Sequence, residues 1–151
     1  MTIIGIDLAT MKGKTCLCLL RTEPQVYLIN KICDIIYFVN DINPGLVTID
    51  APLYLQEKKS RKEEQALRQL GISVLPPNMP GMLKLTRRAI KLKKGIKTSQ
   101  IFEVYPYATK KLLSIDLEKN DINDAYICAL TGRLYLQGKT ATLGASLIIP
   151  G

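Results

Sequence analysis

The sequence predicts an α/β fold with a mixed five-stranded sheet: an antiparallel three-strand meander plus two parallel strands, flanked by helices. Three observations lead there. The chain opens on three short apolar runs joined by turns, the pattern of a meander. Two further strand-like runs, over residues 46–50 and 100–104, are set apart by segments with helical spacing. A last segment, from residue 120 to about 135, reads as a long helix.

The first strand spans residues 2–9. Its alternation sets Ile4, Ile6 and Leu8 on one face and Ile3, Gly5, Asp7 and Ala9 on the other. Asp7 therefore stands inside an apolar strand beside small neighbours. A carboxylate buried there costs several kcal/mol unless something positive or hydrogen-bonding meets it, and the small neighbours leave room for a cation. Met11-Lys12-Gly13-Lys14 reads as a turn, followed by strands over 15–20 and, past Pro24, over 26–29. Ile32, Ile35, Ile36 and Val39 have helical spacing although their residue types suit a strand, and the spacing favours a helix over 31–42. Asn43-Pro44-Gly45 ends it, and the strand over 46–50 stops at Ala51-Pro52.

Ser60-Arg61-Lys62-Glu63 has the form of a capping box with Ser60 as N-cap, and Gly71 is a matching C-cap, giving a helix over 61–70. On it Arg61, Glu64 and Arg68 share a face. Two readings stand level: a surface ion-pair row worth a few tenths of a kcal/mol, or an arginine pair oriented by Glu64 toward a phosphate. Residues 76–81 read as a stiff loop because Pro76, Pro77 and Pro80 interrupt them. The next helix, over 82–94, opposes an apolar stripe of Met82, Leu85, Ala89 and Leu92 to a basic one of Lys84, Arg87, Arg88, Lys91 and Lys94. Such a stripe suits a nucleic-acid backbone. After the strand over 100–104 and a short helix near 109–114, Asp121 and Asp124 open the last helix three residues apart, which places them on one face. Favourable charge at a helix N-terminus explains Asp121 as well as a functional role does. Asp124 is deeper, and a functional reading fits it better. Residues 138–150 read as a closing segment with no assigned place.

A chain of 151 residues with 47% hydrophobic content suits one domain over 1–151. Without a membrane-length apolar run or a secretory leader pattern, a soluble cytoplasmic protein is expected. Cys16, Cys18, Cys33 and Cys128 lack metal or redox spacing and read as core thiols. The sequence has no histidine, which excludes Ser-His-Asp and Cys-His nucleophile systems and His-ligated zinc. Charge is uneven: of 21 basic residues and 13 acids, twelve bases but two acids fall between Lys58 and Lys97, so that segment supplies the whole +8 excess. A phosphate-bearing partner is the reading this favours over a merely solvated face.

Asp7 stands on the first strand, Asp50 and Glu103 at the ends of two later ones, and Asp121 and Asp124 open a helix, so the five carboxylates are candidates for one catalytic site beyond the strand ends. Ionised carboxylates that close need cations between them, and with oxygen donors and no imidazole, Mg2+ or Mn2+ fits best. Gly5-Ile6-Asp7-Leu8-Ala9, Ile49-Asp50-Ala51-Pro52-Leu53, Arg61 with Glu64, Leu67 and Arg68, Glu103-Val104-Tyr105-Pro106, and Asp124-Ala125 with Cys128-Ala129-Leu130-Thr131 resemble, in order and spacing, an uncharacterised family of predicted nucleases with an RNase H-like fold. The wider superfamily includes RuvC- and YqgF-type Holliday junction resolvases, and Asp121-Ile122-Asn123-Asp124-Ala125 is similar to the Asp-x-x-Asp-Ala segment of the RuvC branch. The resemblance implies Asp7, Asp50 and Asp124 as the metal-binding core, with Asp121 as a fourth acid. Asp50 departs from the glutamate common at that position in resolvases, and Glu63 stands where the related family usually has cysteine.

The expected activity is metal-dependent hydrolysis of structured or hybrid nucleic acid, with Arg61, Arg68, Lys84, Arg87, Arg88 and Lys91 contacting phosphates, and room for a homodimer as in resolvases. Two alternatives stand beside it: a non-catalytic nucleic-acid-binding domain on the same scaffold, and an actin-like phosphotransferase suggested by Gly5-Ile6-Asp7-Leu8-Ala9-Thr10. The latter class needs two such lobes, and this chain is long enough for one.

Overall fold

Strand β1 (Ile3–Asp7) lies near the middle of the sheet, and its first four residues are buried, as their apolar run requires. The structure, a computed structural model, describes residues 1–10, 13–57, 60–98 and 100–151. β1 pairs antiparallel with β2 (Cys16–Leu20), and β2 with β3 (Pro24–Leu28), the expected meander. Met11 and Lys12 of the turn read over 11–14 lie outside the described residues, while the Gly13 amide returns to the Thr10 carbonyl at 3.0 Å. On its other side β1 pairs parallel with β4 (Leu46–Ile49), and β4 parallel with β5 (Ile101–Glu103).

The sheet has seven strands, not five. The closing segment supplies β6 (Thr140–Leu143) and β7 (Leu147–Pro150), an antiparallel hairpin whose second strand joins β5 in parallel, giving the order β3-β2-β1-β4-β5-β7-β6. Gly138 and Gly144 take positive φ at the turns before and within this hairpin. Each strand is four residues long, too short for alternation to declare itself in sequence.

Among the described residues, five helices cover the sheet. Helix α1 (Ile32–Ile42) resolves the ambiguous segment as helical, burying Ile32, Ile35 and Val39. With α3 (Pro80–Gly95) it covers the face formed by Ile4, Ile6, Leu8, Val47 and Ile49. Helix α5 (Asp121–Leu136) covers the opposite face, where Ala125 and Ala129 meet Ile3, Cys16, Cys18, Leu20 and Leu46. Its approach depends on Gly5: a Cβ there would clash with the Ala129 amide nitrogen and lie only 2.6 Å from the Ala125 carbonyl oxygen. The room that sequence reasoning left for a cation beside Asp7 is, at Gly5, filled by helix backbone. The Thr48 hydroxyl donates to the Cys128 carbonyl at 2.7 Å and ties α5 to β4.

Three local expectations are corrected. Helix α2 (Lys62–Gln69) is capped one residue later than read: Arg61 is the N-cap, and Glu64, not Glu63, reaches back to its amide at 3.0 Å. Ser60 instead accepts a bond from Arg68 Nη1 at 2.8 Å. Helix α3 starts at Pro80 and α4 (Pro106–Leu113) at Pro106, each using proline in the first turn, where its missing N–H is not needed. Cys33 is exposed, unlike the buried Cys16, Cys18 and Cys128.

Candidate active site

The parallel register of β1 and β4 aligns Ile6 with Ile49, so Asp7 and Asp50 leave neighbouring strands side by side at the carboxyl end of the sheet. The Asp50 amide donates to the Ile6 carbonyl at 2.9 Å, which carries the ladder one residue past β4 and fixes Asp50 there. Asp121 and Asp124 arrive from the first turn of α5, whose N-terminus is held by the Asn120 side chain accepting the Asn123 amide at 2.8 Å. Asp7 lies close enough to Asp50, Asp121 and Asp124 for each of them to raise its pKa. Four of the five expected acids therefore meet, supplied by two strand ends and one helix start. Asp124 is buried, Asp7 and Asp50 half-buried, and Asp121 exposed.

Electrostatics follow from that crowding. Burial first, then the charges of Asp50 and Asp124, push the Asp7 carboxyl up to about 9. Burial likewise pushes Asp50 up to about 7, against the lowering effect of its bond with Asp7 and of Lys119 and Lys110. Without a cation the cluster is relieved by retained protons and by lysine. Lys110 Nζ lies 3.5 Å from Asp124 Oδ1. Among the described residues no group of three or more acidic, cysteine or histidine side chains is arranged as a ready metal cage. In donor chemistry the cluster suits a hard divalent ion, offering carboxylate oxygens and a surplus of negative charge that such an ion would neutralise.

Glu103 does not join them. Its register partner is Ile49, one residue short of Asp50, so its side chain leaves the sheet on the opposite face. There it binds Arg61, whose Nη1 and Nη2 reach its oxygens at 2.5 and 2.9 Å, and it accepts the Ser146 hydroxyl at 2.7 Å and the Leu53 amide at 2.8 Å. Glu103 thereby braces the segment just after Asp50. Arg61 is 2% exposed and doubly bonded to Glu64 as well. It matches neither reading of the Arg61–Glu64–Arg68 row: it is no surface pair, and it cannot reach a phosphate. Next to it, buried Glu63 accepts the Tyr54 hydroxyl at 2.5 Å and the Ala145 amide at 3.1 Å. Burial opposes that charge, but these bonds and nearby Arg61 hold Glu63 below its ordinary value.

Arg68 is exposed and donates to the Val74 carbonyl at 3.3 Å as well as to Ser60. Lys84, Arg87 and Lys91 are exposed along α3, whereas Arg88 is half-buried and donates to the Asn30 carbonyl at 3.1 Å. Helix α3 begins beside the acids, where Met82 and Leu85 line a pocket with Asp50 and Pro52. It ends by the start of β4, at the opposite end of the parallel strands, where Asn40 holds the Gly95 carbonyl at 3.0 Å and the Thr98 hydroxyl donates to the Pro44 carbonyl at 3.0 Å. Its basic face therefore runs away from the carboxylates.

Sequence reasoning missed the far wall of the site. A cleft of about 140 Å3 joins Asp50 and Asp124 to Tyr105, Tyr107, Lys110 and Lys119. The α4–α5 packing brings these residues in, and a single sequence carries no signal of that packing. On the other side of the cluster Asp121 borders a second cleft of about 480 Å3 with Lys14, Leu28 and Ile122.

No protein-family model matches the sequence, and no curated protein does. Among solved structures the chain is similar to RuvC of Thermus thermophilus, with 10% identity and a TM-score of 0.50 over 91% of this chain and 97% of that one. It is also similar to T. thermophilus RuvC in complex with Holliday junction substrate, with 12% identity and a TM-score of 0.52 over 95% of this chain and 99% of that one. At that identity the likeness establishes a RuvC-like fold. No described helix is long and apolar enough to cross a membrane.

Proposed function

We propose that the chain is a divalent-metal-dependent nuclease that hydrolyses phosphodiesters in structured or hybrid nucleic acid. The observation that carries this reading is the meeting of Asp7, Asp50, Asp121 and Asp124 from three elements at the carboxyl end of the sheet, where their mutual repulsion goes unanswered except by protons and lysine. Asp7, Asp50 and Asp124 would hold Mg2+ or Mn2+, with Asp121 as the fourth acid and Glu103 a positioning residue behind Asp50. There the three carboxylates would hold an ion whose chemistry is to polarise the phosphate and lower the pKa of an attacking water.

The chain's own residues supply the rest. Asp7 and Asp50 would be ionised where they hold the ion, and either carboxylate would then be placed to accept a proton from water. Lys110 and Lys119 face the same cleft and can compensate the charge that develops on the phosphate oxygens. The exposed Lys84, Arg87 and Lys91 bind the substrate backbone away from the reacting bond. The RuvC solved in complex with a Holliday junction makes branched DNA a natural first substrate to try. The expected result is cleavage of labelled junction, hybrid or single-stranded substrates only with Mg2+ or Mn2+, and its loss in Asp7→Asn. Cleavage in chelator, or full activity in that variant, contradicts the reading. That no ready metal cage stands among the described residues favours one competitor, a binding domain that no longer cleaves; nucleic-acid binding with no metal uptake would establish it.

A further inference from the structure

We infer that Tyr107 is a stacking platform for one unpaired nucleobase next to the scissile phosphate, so that the substrate is a strand with an unstacked nucleotide at the cleavage point and not a continuous duplex. The inference rests on the nuclease reading of the carboxylates and names the substrate feature that site would take. Tyr107 is 47% exposed on the first turn of α4, in a cleft it shares with Asp50, Asp124, Lys110 and Lys119. Its neighbours steady the ring: Tyr105 lies with its centroid 5.8 Å away at a 44° tilt, and Lys111 Nζ sits 5.9 Å from the ring centre. Lys111 is itself held, donating to the Gly71 carbonyl at 3.0 Å. An exposed aromatic ring held at a fixed angle contributes little to the core, because α4 packs inward through Ala108 and its buried neighbours.

The surroundings specify the occupant. A nucleotide carries its base beside its phosphate, so a phosphate drawn to Lys110 and Lys119 beside the acids brings an adjoining base to the cleft wall where Tyr107 stands. Stacking on an aromatic ring beside cationic side chains is how proteins hold single-stranded or splayed bases, and with Lys111 Nζ over one face of Tyr107 the base would take the other. A base inside a duplex keeps both faces against its neighbours and cannot offer one to Tyr107. Beyond Asp121 the second cleft continues the path, with Lys14 beside exposed Leu28 and Ile122, so a strand can enter and leave on either side of the cluster.

The test measures binding apart from cleavage. Two fluorescein-labelled DNA duplexes, identical except for one unpaired nucleotide at the centre, are titrated with the full chain in Ca2+ and followed by fluorescence polarisation. Wild type is expected to bind the bulged duplex about tenfold more tightly than the paired one, the size of one stacked base. Tyr107→Phe should keep that ratio, and Tyr107→Ala should bring it close to one. Tyr107→Leu, which keeps apolar bulk without an aromatic face, should also lose it, and serves should the alanine variant melt early. Equal affinity of wild type for both duplexes, or a ratio unchanged in Tyr107→Leu, overturns the inference. Magnesium-dependent cleavage is read separately on the same duplexes: its absence in wild type defeats the nuclease reading, while the binding ratio alone decides the role of Tyr107.

Discussion

Asp7 is the residue whose energetics are least comfortable in the folded chain. It ends an apolar strand, half-buried, in contact with two other carboxyls and near a third. Its folded pKa is raised above the ordinary carboxylate value of 3.8, and so is that of Asp50. Between the unfolded and folded values the native state binds more protons than the unfolded chain, so the stability this pair contributes is complete below the ordinary value and is lost as pH rises through about 7 and about 9. Glu63 acts in the opposite sense, but only at acid pH, where its lowered carboxyl titrates. Metal-free protein should therefore melt a few degrees higher at pH 6 than at pH 8.5, since ~1 kcal/mol moves Tm by about 2–4 °C in a chain of this size. Asp7→Asn should flatten that slope, and scanning calorimetry at both pH values checks it. An equal slope in the variant would mean that Asp7 does not titrate in this window. At this scale the sequence singled out Asp7, because an acid in an apolar strand needs a reason. It did not show that Glu103 turns the other way, since that depends on a one-residue register offset between β4 and β5.

Helix α5 and strand β1 form the contact on which the geometry of the acids rests. Ala125 and Ala129 present so little bulk that the helix backbone lies directly on Gly5, and Gly132 lies 3.0 Å, measured from where a Cβ would be, from Ile3 and Leu46 side chains. Gly5→Ala leaves backbone against Cβ with nothing flexible to yield, so α5 must shift. Overpacking of this kind costs typically about 1–3 kcal/mol. The displacement should also part Asp121 and Asp124 from Asp7, so the variant should lose metal affinity as well as thermal stability; calorimetric titration with Mn2+ measures the first and a melt the second. A Gly5→Ala protein with unchanged Mn2+ affinity would show that the acids do not depend on this contact. Helices were legible where spacing and breakers agreed, as in α1 and α3. The hairpin of β6 and β7 was not, because four-residue strands carry too few positions to display a period, and the partner of β7 lies more than forty residues earlier.

For the molecule as a whole the two charged regions are separate devices. The acids gather at the carboxyl end of the sheet, as open α/β folds dictate for their sites, while the exposed Lys84, Arg87 and Lys91 follow α3 toward the opposite end of the parallel strands. The uneven charge was visible in the sequence. That the basic stripe leads away from the acids was not, since it needs the direction in which α3 crosses the sheet. Replacing Lys84, Arg87 and Lys91 together by alanine should weaken nucleic-acid binding and reduce the slope of log K against log salt by about two to three, at ~0.9 for each duplex phosphate no longer neutralised, with Mn2+ affinity unchanged. Polarisation titrations across a salt series test it; an unaltered slope would assign the stripe to solvent alone. The convergence of the four acids remains the point on which the enzymatic account turns, and crystals soaked in Mn2+ and measured above the manganese absorption edge address it most directly. An anomalous peak bounded by the carboxylates of Asp7, Asp50 and Asp124 is the expected result. A soaked crystal with no peak there, or with manganese bound only elsewhere, would contradict it.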